Sequence, residues 1–143
     1  MDENLPILLV EDQPDQARLV QDALKEDSNL TLLQVLPSGE EAIAYLSAEG
    51  KFADRAAYPF PFLMLLDLNM PGIGGFGVLR WLQTRPDVNE KLHTVVLSSV
   101  QSSKEIELAG ELGAKHFWVK SDWMLLPQKI RDLRASLNDE DLW

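Results

Sequence analysis

The chain has 143 residues, of which 45% are hydrophobic and 25% are charged, and this is the size and composition of one globular domain. Its 13 basic and 23 acidic residues give a formal net charge of -10, which opposes direct binding to nucleic acid or to an anionic membrane surface. Cysteine is absent, so we expect neither disulfides nor thiolate metal sites. No apolar run approaches the roughly 20 residues of a membrane span, and no basic export signal begins the chain. We therefore expect a soluble cytoplasmic protein.

Short apolar runs alternate with amphipathic stretches, a pattern that predicts βαβ units around a parallel sheet. The first strand, β1, is predicted at PILLV, residues 6–10, and Asp12 is predicted to cap the helix α1 that follows. The run LTLLQVL, residues 30–36, predicts β2. Ser38 and Glu41 then have the spacing of a capping box, which predicts the start of helix α2.

The middle of the chain predicts β3, α3 and β4. A connection of about a dozen residues, 51–61, is longer than a minimal turn between a helix and a strand. It leads to FLMLL, residues 62–66, which predicts β3. Helix α3 is predicted over residues 75–84, and TVVLSS, residues 94–99, predicts β4. The residues expected on the buried side of α3 are Val78, Leu79 and Leu82.

The last third of the chain predicts α4, β5 and α5. Ser102 and Glu105 form a second capping box that opens α4, and Gly113 is placed to end it. The segment KHFWVK, residues 115–120, predicts β5, and an amphipathic helix α5 follows, before a short acidic tail. Five strands joined in this way predict a doubly wound, flavodoxin-like α/β fold with strand order 2-1-3-4-5. We expect a single domain over residues 1–143, with its core at about 5–138 and no output domain.

Polar side chains stand at the carboxyl ends of four predicted strands: Glu11 and Asp12 after β1, Asp67 after β3, Ser98 in β4 and Lys120 in β5. Ligands of such sheets bind beyond these strand ends, so we expect the side chains to meet in one shallow cleft. Carboxylates that lie close together raise each other's pKa, because their negative charges repel. A bound divalent cation offsets this repulsion. Oxygen ligands favour Mg²⁺, with Mn²⁺ as an alternative.

This set of groups is suited to phosphoryl transfer onto a carboxylate. An aspartate oxygen can attack phosphorus, while Lys120 and Ser98 supply the charge and the hydroxyl that stabilise the phosphoryl oxygens. Each residue alone also has a structural interpretation, as a helix cap, a turn residue, a loop hydroxyl or a solvated lysine. Their coincidence at matching strand ends favours the functional interpretation.

The segments LLVEDQPDQARLV, LLDLNMPG, VVLSS and GAKHFWVK resemble, in order, the motifs of response-regulator receiver domains of two-component signalling. The resemblance covers about residues 5–138. It implies that Asp67 is the phosphoacceptor. It also implies that Asp12, Asp67 and the backbone carbonyl of Asn69 bind Mg²⁺, with Glu11 acting mostly through water.

The same resemblance implies a switch and a partner. Ser98 would be the switch hydroxyl, Phe117 the switch aromatic and Lys120 the lysine that pairs with the phosphate. The segments YLSAEGKFADRAAYPFPFLMLLDLN and GFGVLRWLQ are similar to small single-domain regulators partnered with bacterial phytochrome-type histidine kinases. One departure is Ser121, which follows the lysine where the family usually has a proline in a cis bond.

Phosphorylation is expected to alter the surface formed by α4, β5 and α5, which could serve a partner or a symmetric homodimer. Large apolar residues near the start of α5 support an interface there: Trp118, Trp123, Met124, Leu125 and Leu126. One alternative is a pseudo-receiver, an interaction module of this fold that is never phosphorylated. A second is an aspartyl-nucleophile phosphatase of the haloacid-dehalogenase type, although the acid its motif needs two residues after the nucleophile is Asn69 here.

Overall fold

The structure is a computed structural model that describes residues 4–98 and 103–141. Its five strands are β1 Leu5–Val10, β2 Leu30–Leu36, β3 Leu63–Asp67, β4 His93–Ser98 and β5 His116–Val119. They form one parallel sheet in the order β2-β1-β3-β4-β5. The predicted flavodoxin-like fold class and strand order are therefore confirmed.

The main helices are α1 Pro14–Lys25, α2 Gly39–Leu46, α3 Gly74–Gln83, α4 Ser103–Glu111 and α5 Leu126–Asp141. Two 3₁₀ segments, Gly50–Phe52 and Lys120–Leu125, and a single helical turn, Pro86–Asn89, complete the described chain and were not predicted. Within the described ranges, every helix is too short or too polar to cross a lipid bilayer.

Two apolar layers hold the sheet, one on each face. On one face, β3 contributes Met64 and Leu66 to a core shared with α2 and α3. On the other face, Leu63 and Leu65 pack in a core shared with α1 and α5. Because successive side chains of a strand point to opposite faces, a strand buried on both sides reads as an unbroken apolar run. The burial of β3 on both faces therefore explains the unbroken apolar run that precedes Asp67.

The predicted helix starts have different outcomes. The hydroxyl of Ser38 accepts a hydrogen bond of 3.2 Å from the backbone N–H of Glu41, so Ser38 is the N-cap of α2, as predicted. The predicted cap of α1 by Asp12 is wrong, because the N-cap is Gln13, which makes no side-chain cap. Pro14 occupies the first helical position and lacks an N–H that would need capping, and Asp12 lies one residue too early.

Helix α4 ends two residues before Gly113, whose φ of +99° is in the left-handed region that favours glycine, so its predicted end is confirmed. The other half of that prediction, the capping box that begins at Ser102, lies outside the described residues.

The long connection between α2 and β3 is ordered by aromatic packing. The ring of Tyr45, in the last turn of α2, lies 5.0 Å from the ring of Phe52 and 6.1 Å from that of Tyr58. The Tyr45 hydroxyl donates a hydrogen bond of 2.8 Å to the carbonyl of Pro59. The connection therefore folds back on the helix that it follows.

Candidate functional site

Three carboxylates meet at the carboxyl edge of the sheet. Val10 of β1 is in register with Leu66 of β3, so the residues that follow these two positions leave the sheet side by side. Carboxylate oxygens of Glu11, Asp12 and Asp67 lie within 4.8 Å of one another. Glu11 and Asp67 are each 3% exposed, so their charges are shielded from most solvent.

Lys120 brings a positive charge to the same place. It follows β5 directly, and its side chain crosses the end of β4 to reach the carboxylates. Its Nζ lies 3.0 Å from Oδ2 of Asp67 and forms a second ion pair with Oε1 of Glu11. The buried ammonium is therefore shared between two buried carboxylates, a geometry in which loss of one partner is costly.

Backbone N–H groups orient the acids. The N–H of Asn69 donates a hydrogen bond of 3.0 Å to Oδ1 of Asp67, and that of Gln13 donates one of 3.2 Å to Oε2 of Glu11. Both oxygens of Asp67 are therefore engaged, one by a backbone N–H and one by Lys120. This fixes the plane of the carboxylate before any ligand binds.

Close packing behind Asp67 depends on Gly75 at the start of α3. A Cβ atom at this position would lie 2.5 Å from the carbonyl oxygen of Asp67 and 2.7 Å from Cα of Leu68. These distances are shorter than van der Waals contact, so only glycine lets the helix approach the end of β3 this closely.

The carboxyl groups of the site can carry more negative charge than Lys120 alone neutralises. Burial raises the pKa of Glu11 to about 7, and the negative charge of Asp67 adds to the rise, while the hydrogen bond from Lys120 opposes it. Among the described residues, the single ammonium group of this three-carboxyl cluster thus pairs with Glu11 and Asp67 but not with Asp12.

The residues fit a divalent cation. Oδ1 of Asp12 is buried and has no hydrogen-bond partner among the described residues, which is an unfavourable state for a carboxylate oxygen. This oxygen belongs to the three-carboxylate cluster, whose donors are all oxygen, the preference of Mg²⁺ and Mn²⁺. Glu11, Asp12 and Asp67 are the side chains that would hold the cation. Asn69, whose backbone carbonyl is the fourth predicted ligand, lies in the loop directly after them.

Ser98 and Phe117 lie close to this edge. Ser98 is the last residue of β4 and is 7% exposed, and the preceding Leu97 is in register with Asp67. Phe117 is half-buried in β5 and packs against the core on the α2 and α3 face. The tip of its ring faces α4, since a Cβ atom at Gly110 would lie 3.9 Å from Cζ of Phe117.

The apolar residues around the start of α5 are divided between the core and the surface. Leu126 is buried, and Trp118 and Trp123 pack partly against the core on the α1 and α5 face. Met124 and Leu125 are 77% and 53% exposed.

All described peptide bonds are trans, including the one between Lys120 and Ser121. The chain continues from Lys120 as a 3₁₀ segment.

Two residues of the predicted interface, Trp123 and Met124, join this region to a residue of α1 that the sequence analysis did not single out, Leu19. Leu19, Trp123 and Met124 line one cleft, and Leu19 and Trp123 also border a second cleft with Lys120. We call Leu19, Trp123 and Met124 the α1 patch. Leu19 is 41% exposed, and the signal that could have revealed it is its position off the buried face of α1, which Ala17, Val20 and Leu24 define.

Comparison with known proteins agrees with the fold. The family model for the response regulator receiver domain matches residues 7–131. The response regulator Rcp1 of Synechocystis sp. is 35% identical over 115 residues, which are 80% of this chain and 76% of that protein.

Two solved structures are similar over most of their length. The Mn²⁺-bound form of Rcp1 has 32% identity and a TM-score of 0.73, over 88% of this chain and 91% of that one. The phosphorylated cyanobacterial phytochrome response regulator RcpA has 28% identity and a TM-score of 0.77, over 94% and 96%. The chain therefore belongs to the response regulator receiver domain family, and within it resembles the regulators of phytochrome-type signalling.

Proposed function

We propose that the chain is a response regulator that accepts a phosphoryl group from a phytochrome-type sensor histidine kinase onto Asp67. The observation that carries this proposal is the buried carboxylate of Asp67, oriented by the N–H of Asn69 and held 3.0 Å from the ammonium group of Lys120. The phosphorylated form of RcpA and the Mn²⁺-bound form of Rcp1 support the same chemistry in relatives.

In the proposed reaction, an oxygen of Asp67 forms the new bond to phosphorus while the bond from phosphorus to the kinase's histidine nitrogen breaks. Lys120 stays beside the reacting group and offsets the negative charge on its equatorial oxygens. A bound Mg²⁺ or Mn²⁺ would supply charge neutralisation between the carboxylates and the phosphoryl oxygens. Burial of Asp67 keeps competing water away from the carboxylate.

The signal would arise from the added charge. A phosphoryl group brings about -2 charge and strong acceptor oxygens, which the hydroxyl of Ser98 can approach. Movement at Ser98 would open space into which Phe117 turns, because both belong to neighbouring strands at this edge. The surface formed by α4, β5 and α5 would then change, and a partner or a second copy in a symmetric homodimer would bind it.

The α1 patch supports a role in docking the kinase. It is apolar and exposed, and one of its clefts is bordered by Lys120 itself. A partner that covers Leu19 and Trp123 would therefore bring its own reactive group next to the acceptor site. We propose that this contact occurs in the cytoplasm, where histidine kinases present their phosphorylated domains.

Two alternatives give different experimental results. A pseudo-receiver would not react with a small phosphodonor, and an aspartyl phosphatase would turn over phosphate esters. The phosphatase is disfavoured because Asn69 stands where its acid is needed, and here the backbone of Asn69 binds Asp67. We propose no enzymatic activity beyond the chain's own phosphorylation and dephosphorylation.

The deciding experiment is incubation with Mg²⁺ and acetyl phosphate, followed by intact-protein mass spectrometry. We expect a mass increase of one phosphoryl group, which requires Mg²⁺ and is absent from Asp67→Asn. An unchanged mass, or the same increase in Asp67→Asn, would overturn the proposal. A continuing release of phosphate from phenyl phosphate would identify the phosphatase instead.

A further inference from the structure

A second site lies at the edge of the sheet opposite Asp67. Helix α2 ends there, and the chain enters β4 from the helical turn Pro86–Asn89. Between these segments and the long α2–β3 connection is a cleft of about 510 Å³. Leu46, Phe60 and Val88 provide its apolar part. Its volume falls within the roughly 300–1,000 Å³ that is usual for small-molecule pockets.

Arg55 presents a positioned positive charge in this cleft. Its Nη1 donates to the carbonyls of Tyr45 and Tyr58, at 2.9 and 3.1 Å, and its Nη2 donates to that of Leu46, at 2.8 Å. A guanidinium group has five N–H donors, so two remain for another acceptor. The three acceptors are neutral carbonyls, and among the described residues no carboxylate pairs with Arg55.

Lys91 and Ser47 add two further groups without partners among the residues that the structure describes. Lys91 is exposed and forms no ion pair with a described residue. The hydroxyl oxygen of Ser47 is buried and makes no hydrogen bond within the described chain, although a hydroxyl normally finds a partner when buried. The other charged residues of the cleft, Arg85 and Asp87, neutralise each other through two hydrogen bonds of 3.0 and 2.9 Å.

We propose that this cleft binds a small organic anion, with a carboxylate or phosphate group bound by Arg55, Lys91 and Ser47 and an apolar portion against the half-buried Phe60. Two cations that pair with no described carboxylate, and that line one cleft with a hydroxyl, are the groups that recognise such an anion. They stand out in a chain whose formal net charge is -10. A structural role in capping α2 accounts for the three N–H groups that Arg55 already uses. It does not account for the presence of Lys91 and of the Ser47 hydroxyl at the same cleft.

The experiment is a titration of the full ¹⁵N-labelled chain, without divalent cations and at constant ionic strength, with phenylphosphonate followed by NMR. We expect saturable shifts at the amide of Ser47 and at the side-chain Nε–H of Arg55. Inorganic phosphate, which lacks the apolar portion, is expected to bind the same residues more weakly, and neutral benzyl alcohol not to shift them.

Matched variants distinguish binding at a specific site from nonspecific attraction between charges. Lys91→Met is expected to weaken phenylphosphonate binding about tenfold, as the loss of one charge-assisted hydrogen bond does. Ser47→Ala should weaken it less. The control Lys25→Met changes the net charge equally, on the exposed end of α1, and should leave binding unchanged.

Equal weakening by Lys25→Met and Lys91→Met would overturn the proposal, as would shifts that do not saturate or that centre on Lys120. The variant Asp67→Asn should bind phenylphosphonate as the natural chain does. A failure of the proposed phosphorylation would therefore leave this result intact.

Discussion

The ammonium group of Lys120 lies 3.0 Å from Oδ2 of Asp67, although β4 separates the two strands that carry them. Only a long side chain at the end of an outer strand can make this contact. The same ammonium group pairs with Glu11, so a single residue directly after β5 connects the ends of β1 and β3.

Replacement of Lys120 by Met should lower both phosphorylation and stability. Removal of one partner from a buried ion pair costs about 3–5 kcal/mol, because the carboxylates are left uncompensated. Urea unfolding without divalent cations measures this loss. Added Mg²⁺ should restore part of the stability, and the double variant Lys120→Met/Glu11→Gln should be more stable than Lys120→Met alone. Full stability in Lys120→Met would contradict the burial of these charges.

Asp12→Asn should separate cation binding from folding. Because Oδ1 of Asp12 has no partner in the described chain, removal of its charge should leave stability without Mg²⁺ unchanged or slightly raised. The stabilisation that Mg²⁺ gives to the natural chain should be largely lost, since stabilisation by a ligand depends on its affinity. Thermal unfolding with and without Mg²⁺ measures both effects. Asp15→Asn, in the first turn of α1, is the control and should keep the Mg²⁺ response.

Gly75→Ala should be destabilising, by about 1–3 kcal/mol as for other overpacked sites, and should slow phosphorylation by acetyl phosphate. The added methyl group would press on the backbone of Asp67 and shift the carboxylate from Lys120. Gly110→Ala is the matched control, because its nearest non-local atom is 3.9 Å away and the substitution favours a helix. Similar unfolding midpoints for the two variants would count against close packing at Gly75.

Met124→Glu should reduce phosphotransfer from the cognate kinase about tenfold, the effect of losing the burial of part of one apolar side chain. Phosphorylation by acetyl phosphate should be unchanged, because Met124 is 77% exposed and its replacement leaves the core intact. Leu108→Glu, on the exposed side of α4, is the control and should keep the kinase reaction. An equal loss in both variants would place docking elsewhere.

Acid should weaken the contact between α5 and the turn that follows α1. The N–H of Asn29 lowers the pKa of Asp27, and Arg131 lowers it further. A carboxyl group whose pKa is lower in the folded chain stabilises it above the unfolded pKa, and this contribution disappears as pH falls through the folded value. The stability difference between the natural chain and Asp27→Asn should therefore shrink below about pH 4. Urea unfolding across this range tests the expectation, with Asp22→Asn in α1 as a control.

The fold was predictable because its strands are short apolar runs buried on both faces. Each predicted strand boundary lies within one residue of the observed one, and the meeting of Glu11, Asp12, Asp67 and Lys120 follows from parallel strands that end at one edge. The predicted cap by Asp12 failed because local spacing does not reveal that its carboxylate joins a cluster made across strands. The cleft at Arg55 and the part of Leu19 in the α1 patch were not predicted, since both depend on contacts between segments far apart in the sequence.

The anchoring of the α2–β3 connection has a consequence for chimeras between relatives. Arg55 satisfies carbonyls at the end of α2, and the buried hydroxyl of Tyr45 depends on the carbonyl of Pro59. Replacement of this connection by a shorter turn would leave the carbonyls and the Tyr45 hydroxyl without these hydrogen-bond partners. In a chimera, the connection and the last turn of α2 must therefore be exchanged together, so that Tyr45 and Arg55 come from the same parent.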